Sequence, residues 1–225
     1  METVAQEDIP DEANLHYQIK RKFIEGGAGF MATILLTLIL GLALAIERIL
    51  YLNLASINTE KFVKKVEEIL ESDGIDAAKE LCKNTKGPVA SIYFQGLTRY
   101  ADNKNLDMVE KAIMSYGSVQ MGLMERGLTW IALFIALAPM LGFMGTVIGM
   151  IGAFDSIQAA GDISPSLVAG GIKVALITTV SGLIVAIILQ IFYNYILSKI
   201  DAIVNHMEDA SVSLVDMLVK YNTKN

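Results

Sequence analysis

Cysteine is nearly absent from this sequence. Cys82 stands alone, so no disulfide can form within the chain, and neither Cys/Cys nor Cys/His metal spacing exists. Excess positive charge is missing too. Eighteen Lys and Arg face 24 Asp and Glu, a formal net charge of −6, so no basic face is available to neutralise phosphates and no nucleic-acid partner is expected. No convincing strand pattern occurs, and no nucleophile, metal or acid-base constellation points to an enzyme or to a cofactor. The most telling scarcity is of charge itself over long stretches. Hydrophobic residues make up 53% of the 225, too many for an ordinary soluble domain unless they are segregated into spans.

They are segregated. Residues 1–14 carry Glu2, Glu7, Asp8, Asp11 and Glu12 and read as a mobile tail. Leu15 to Ile24, with Lys20-Arg21-Lys22, fits a short interfacial helix or a solvated juxtamembrane flank, so 1–27 is taken as tail and interfacial segment. Ala28 to Ile46 gives 19 uncharged residues, enough for one crossing, and lacks a clear cleavage site; 28–51 is the first transmembrane helix. From 52 to 127 the character is that of a soluble helical region, with ten basic and eleven acidic residues interleaved. Within it, Phe62, Val63, Val66, Ile69 and Leu70 follow the capping candidates Asn58 and Thr59, and Asp73-Gly74 is a stop. Shorter helices are expected over Asp76 to Lys83 and Val89 to Tyr100. From Leu106 a single long helix is expected to continue into the second span, bending, if anywhere, near Pro139.

Leu128 to Phe154 is free of charge, and 128–155 is the second span. Residues 156–172, with Gly161, Pro165 and no basic residue, read as a periplasmic loop. The third span, 173–198, passes without a breaker into a cytoplasmic helix and tail, 199–225, whose Ile200, Ile203, Val204, Met207, Leu214, Val215 and Leu218 keep nearly a heptad rhythm. Tyr221 to Asn225 is read as the tail. The expected fold is all-α: an integral membrane protein with three transmembrane helices extended by long cytoplasmic helices. Basic residues near the span ends (Arg48, Lys61, Lys64, Lys65, Lys111, Arg126, Lys199) outnumber those on the other side (Lys20, Arg21, Lys22, Lys173). The positive-inside rule then gives an external N-terminus and a cytoplasmic C-terminus.

The second span carries Gly142, Gly145, Gly149 and Gly152 at steps of 3, 4 and 3, one face of a helix, with Pro139 a turn earlier and Thr146 beside them. The third repeats the device with Gly171, Ala175, Thr179, Gly182 and Ala186, and Thr178 at the border. Bare faces let helices approach closely in lipid, where packing and hydroxyl contacts replace the hydrophobic drive. A generic helix interface without transport fits the stripes equally well, and a membrane threonine commonly bonds its own helix carbonyl. Ion carriage normally needs an ionisable group in the membrane, and neither the second nor the third uncharged run contains one. Any conducting carboxylate must come from a partner. Lys173 lies opposite the stripe and can snorkel to the outer interface.

The run Pro139-Met140-Leu141-Gly142-Phe143-Met144-Gly145-Thr146-Val147-Ile148-Gly149-Met150, with Ala175-Leu176-Ile177-Thr178-Thr179-Val180-Ser181-Gly182-Leu183, resembles the MotA/TolQ/ExbB proton-channel family. The three-span plan matches the ExbB and TolQ branch over nearly the whole chain. The resemblance implies a bacterial inner-membrane motor subunit that forms a homo-oligomeric ring, a pentamer, around single spans of an ExbD- or TolR-like partner supplying a membrane Asp. A TonB-like protein is a further implied partner. It also implies pore positions at Thr146 and Thr179, and Thr178 beside them is counted with the pair as an ion-pathway, partner-facing candidate. Where many such chains carry Glu, Val174 stands here. The alternative function is a passive membrane scaffold that conducts nothing.

Overall fold

The computed structural model describes residues 15–103, 105–161 and 165–224. Among the described residues eight helices follow one another: α1 Leu15–Glu25, α2 Ala28–Ala55, α3 Thr59–Ser72, α4 Ile75–Asn84, α5 Pro88–Asn103, α6 Leu106–Glu125, α7 Leu128–Ala160 and α8 Pro165–Lys224. No strand occurs among the described residues. Helices α2, α7 and α8 contain segments long and apolar enough to cross a bilayer, so the chain is an all-α, multi-pass membrane protein. The acidic tail read over 1–14 lies outside the described residues.

Three expectations about continuity are corrected. The helix from Leu106 does not run unbroken into the second span; it stops at Glu125, because Gly127 takes φ +89°, a left-handed conformation that ends a helix. The stretch 156–172, read as loop, is mostly helical: α7 reaches Ala160, Gly161 closes it with φ +70° and an N–H bond to the Ile157 carbonyl at 3.0 Å, and Pro165 opens α8. Proline suits that first position because its missing N–H would have had no helical partner. The tail read over 221–225 likewise continues α8 as far as Lys224.

The chain forms two units by contact, Met1–Ala43 with Trp130–Ile191, and Leu44–Thr129 with Phe192–Asn225. In the first, Met31 and Ile34 of α2, Ala138 of α7, and Val185 and Leu189 of α8 make the buried core. Leu189 fits over Gly41, where an added Cβ would lie 2.6 Å from its Cδ1. Leu36, Phe143, Ile148, Ile187 and Ile191 point outward and exposed, an apolar surface suited to lipid or to other membrane helices.

The second unit buries the amphipathic faces of its helices. Asn58 caps α3 by accepting from the Lys61 N–H at 3.0 Å, and Phe62, Val66 and Leu70 face inward. Phe62 meets Tyr93 edge to face at 5.4 Å. Tyr93 is fully buried and donates its hydroxyl to the Ala210 carbonyl at 2.8 Å, while Tyr100 bonds Asn222 Oδ1 at 3.2 Å. These bonds and the Tyr100–Tyr221 ring contact attach the last turns of α8 to α5, which explains why a polar terminus stays helical.

Candidate functional site

Helices α7 and α8 approach so closely that backbone meets backbone. A Cβ on Gly142 would stand 3.0 Å from the Thr178 carbonyl oxygen and 3.1 Å from Thr179 Cα. On Gly149 it would stand 3.2 Å from the Ala175 nitrogen and the Gly171 carbonyl oxygen. A Cβ on Gly182 would press on the Ala138 carbonyl oxygen and lie 3.1 Å from Gly142 Cα. The two stripes expected from spacing therefore face each other within one chain.

Helix geometry sorts the stripe more finely than spacing does. At about 100° per residue, positions 142, 146, 149 and 153 stay within about 40° of one line, whereas 145 and 152 drift to about 60° and 80° on one side. Gly145 accordingly lies between α8 and α2: a Cβ there would sit 2.6 Å from Thr178 Oγ1 and 2.8 Å from Phe30 Cε1. Gly152, expected on the packing face, meets nothing within 4 Å of its own chain. Ala153 takes the contact instead, against Gly171. Ala138, Ala153 and Gly41 were missed; each is small where another helix crosses, but none stands out at its spacing. Ala175 is buried, Ala186 packs against the apolar core, and Pro139 is half-buried beside buried Ala138.

Where the stripes meet, two threonines face each other. Thr146 Oγ1 and Thr179 Oγ1 are in direct hydrogen-bond contact across the helices. Thr146 Oγ1 also reaches the Ala175 carbonyl at 3.2 Å and that of Gly142, in its own helix, at 3.4 Å. Thr179 Oγ1 reaches the same two carbonyls, each at 3.2 Å. Each hydroxyl thus has one carbonyl of its own helix and one of its neighbour's. With a bare glycine at 142 nothing covers that carbonyl, so the closeness of the helices creates the four-oxygen cluster. Both threonines are half-buried.

Thr178 adjoins this pair and shares its Ala175 acceptor. It is 1% exposed and donates to the Ala175 carbonyl at 2.9 Å, with its side chain filling the space that Gly145 leaves. Val174 is half-buried on α8, one turn before Thr178. Among the described residues no group of three or more His, Cys, Asp or Glu is placed to hold a metal.

Residues 84–209 match the MotA/TolQ/ExbB proton channel family, more than half of the chain and all three threonines. The chain belongs to that family. Among its relatives, a biopolymer transport protein ExbB homolog of Methanothermobacter thermautotrophicus is 37% identical over 172 residues, 76% of this chain and 60% of that protein. The biopolymer transport protein ExbB-like 3 of Synechocystis is 29% identical over 158 residues, 69% of this chain and 74% of that one. ExbB of Xanthomonas campestris is 32% identical over 110 residues, 46% of this chain and 44% of that one. This chain thus spans three fifths of the Methanothermobacter relative's length. The relatives carry ExbB-type biopolymer transport names, and the apolar helices make this chain a multi-pass membrane member of that proton channel family.

Proposed function

We propose that this chain is the ring-forming subunit, a pentamer, of a proton-driven motor in the inner membrane, and that it energises outer-membrane transport or another envelope process. Its partner is an ExbD- or TolR-like single-span protein whose membrane Asp carries the proton, with a TonB-like protein receiving the work. In this reading 28–51, 128–155 and 173–198 lie in the bilayer, with 52–127 and 199–225 cytoplasmic, 156–172 periplasmic and the N-terminus periplasmic. The electrical gradient supplies about 2.3 kcal/mol per charge per 100 mV.

The observation that carries this reading is the half-buried Thr146–Thr179 pair between carbonyls of both helices, within the runs 128–154 and 174–198 that hold no acidic or basic side chain. Hydroxyls cannot carry net charge at neutral pH, but they can orient and receive a partner's carboxyl group. Thr178 supports the pair by packing. In the scaffold reading the same hydroxyls only join helices, since each already has a carbonyl of its own helix.

Thr179→Val separates the two. Valine keeps the shape and the close packing while removing the hydroxyl. The expected result is normal expression and assembly with gradient-dependent activity lost in the reconstituted or complemented complex. Full activity in an assembled Thr179→Val complex would favour the scaffold reading.

A further inference from the structure

A groove of about 990 Å³ runs along the first unit between α1, α2 and α8. Its wall is apolar, built by Phe23, Met31, Ile34, Leu38, Leu176 and Val180. Its rim is cationic, for Arg21 and Lys22 of α1 line the same groove. Those cations are only partly neutralised locally. Arg21 Nε lies 3.0 Å and Lys22 Nζ 3.2 Å from the Glu25 carboxylate, and Lys173 Nζ of α8 lies 2.9 Å from it. Three positive side chains share one carboxylate, leaving two charges in excess, and all three stay more than half exposed.

We infer that this groove is a binding site for an anionic phospholipid, with acyl chain along the apolar wall and phosphate at Arg21 and Lys22. The chemistry selects that occupant. A soluble anion would meet the cations and leave the apolar wall wet; a zwitterionic lipid would cover the wall and leave the excess charge unmatched. An anionic lipid answers both, and its site lies on spanning helices next to a basic interfacial helix, where such headgroups concentrate. Glu25 gathers the three cations around one carboxylate and ties α1 to α8.

The test is native mass spectrometry of the full chain in detergent, incubated with equal amounts of phosphatidylglycerol and phosphatidylcholine of matched acyl chains. Wild type is expected to retain phosphatidylglycerol preferentially. Arg21→Gln with Lys22→Gln should reduce that preference by about fivefold per cation removed. The charge-keeping pair Arg21→Lys and Lys22→Arg should preserve it, which guards against a folding artefact. Val180→Trp should lower retention of both lipids by filling the wall. Equal retention by wild type, or an unchanged preference in the glutamine double variant, would overturn the site. Displacement of the lipid by glycerol 3-phosphate would reduce it to a free-phosphate site. A several-fold gain in phosphatidylglycerol on deleting 2–12 would make the acidic leader, not lipid, the resident occupant.

Discussion

Gly182→Ala tests whether the approach of α7 and α8 is what builds the hydroxyl cluster. The added methyl would press on the Ala138 carbonyl oxygen and stand 3.1 Å from Gly142 Cα, so its neighbours are backbone atoms that no rotamer change can move aside. The helices must separate until those contacts relax to ordinary distances, a shift of roughly 0.5–1 Å by van der Waals geometry. Thr179 Oγ1 to the Gly142 carbonyl and Thr146 Oγ1 to the Ala175 carbonyl both begin at 3.2 Å, so a shift of that size breaks both. Overpacking costs about 1–3 kcal/mol. Two interhelical bonds in a membrane add about 0.6 kcal/mol each. The sum is about 2–4 kcal/mol. Gly152→Ala, with nothing within 4 Å, is the matched control and should cost almost nothing; Gly149→Ala, with its nearest atoms at 3.2 Å, should fall between them. Unfolding in mixed detergent micelles can be followed by helical circular dichroism and by the single tryptophan, Trp130. Equal midpoints for Gly182→Ala and Gly152→Ala would refute the reasoning.

Three further outcomes are expected. Glu25 is held at about 2, well below the ordinary 4.5, chiefly by its bond to Lys173 and then by Lys22 and Arg21. Because the folded value is the lower one, this anchoring of α1 is fully present above about 4.5 and is lost as pH falls towards about 2; Lys173→Gln should move the Glu25 titration upward by NMR while transport activity stays nearly normal. Burial pushes the Cys82 thiol up to about 12 and leaves it 2% exposed, so it will report orientation poorly. Asp76→Cys in a Cys82→Ala background places a thiol at a 96% exposed position, and an impermeant maleimide should label it in spheroplasts only after permeabilisation; labelling without it would invert the proposed topology. Tyr93→Phe removes the buried bond to the Ala210 carbonyl and should cost about 1–3 kcal/mol in unfolding, with the vacated acceptor buried; no loss would mean that this bond does not hold α8 to α5.

The helical plan was legible because each determinant is local. Uncharged runs, the Asn58 cap and the amphipathic face of Phe62, Val66 and Leu70 depend on neighbours in sequence, and each emerges in the fold. Breaks were harder to read. Proline at 139 drew attention, yet a spanning helix can carry one, whereas Gly127 with φ +89° makes the interruption. Periodicity found the stripes and the facing threonines but could not exclude Gly152, because a 3-4-3 stepping accumulates angle over three turns. The ion pair of Lys173 with Glu25 was hidden for another reason. It joins residues distant in sequence, and a lysine near a span end already has a sufficient local explanation in snorkelling.

The proton count at Thr146 and Thr179 bears on how such a pair would treat a partner's carboxyl group. The two hydroxyls hold two protons between them, and within reach lie the Gly142 carbonyl, the Ala175 carbonyl, which also accepts from Thr178, and each other's oxygen. Whichever acceptors are chosen, both protons can be satisfied inside the cluster, so what remains for a third group is chiefly lone pairs. A carboxylate brings only acceptors and must compete for a proton already bonded to a carbonyl. A protonated carboxyl brings a donor and completes the cluster without disturbing it. In the proposed motor, contact with this pair therefore favours the neutral partner Asp, strengthened by the low dielectric around it, and proton release belongs to the step in which that Asp moves away. Replacing one hydroxyl by a methyl in Thr179→Val removes acceptor capacity from the surface that receives the carboxyl group, which is why the change should cost ion transfer far more than packing.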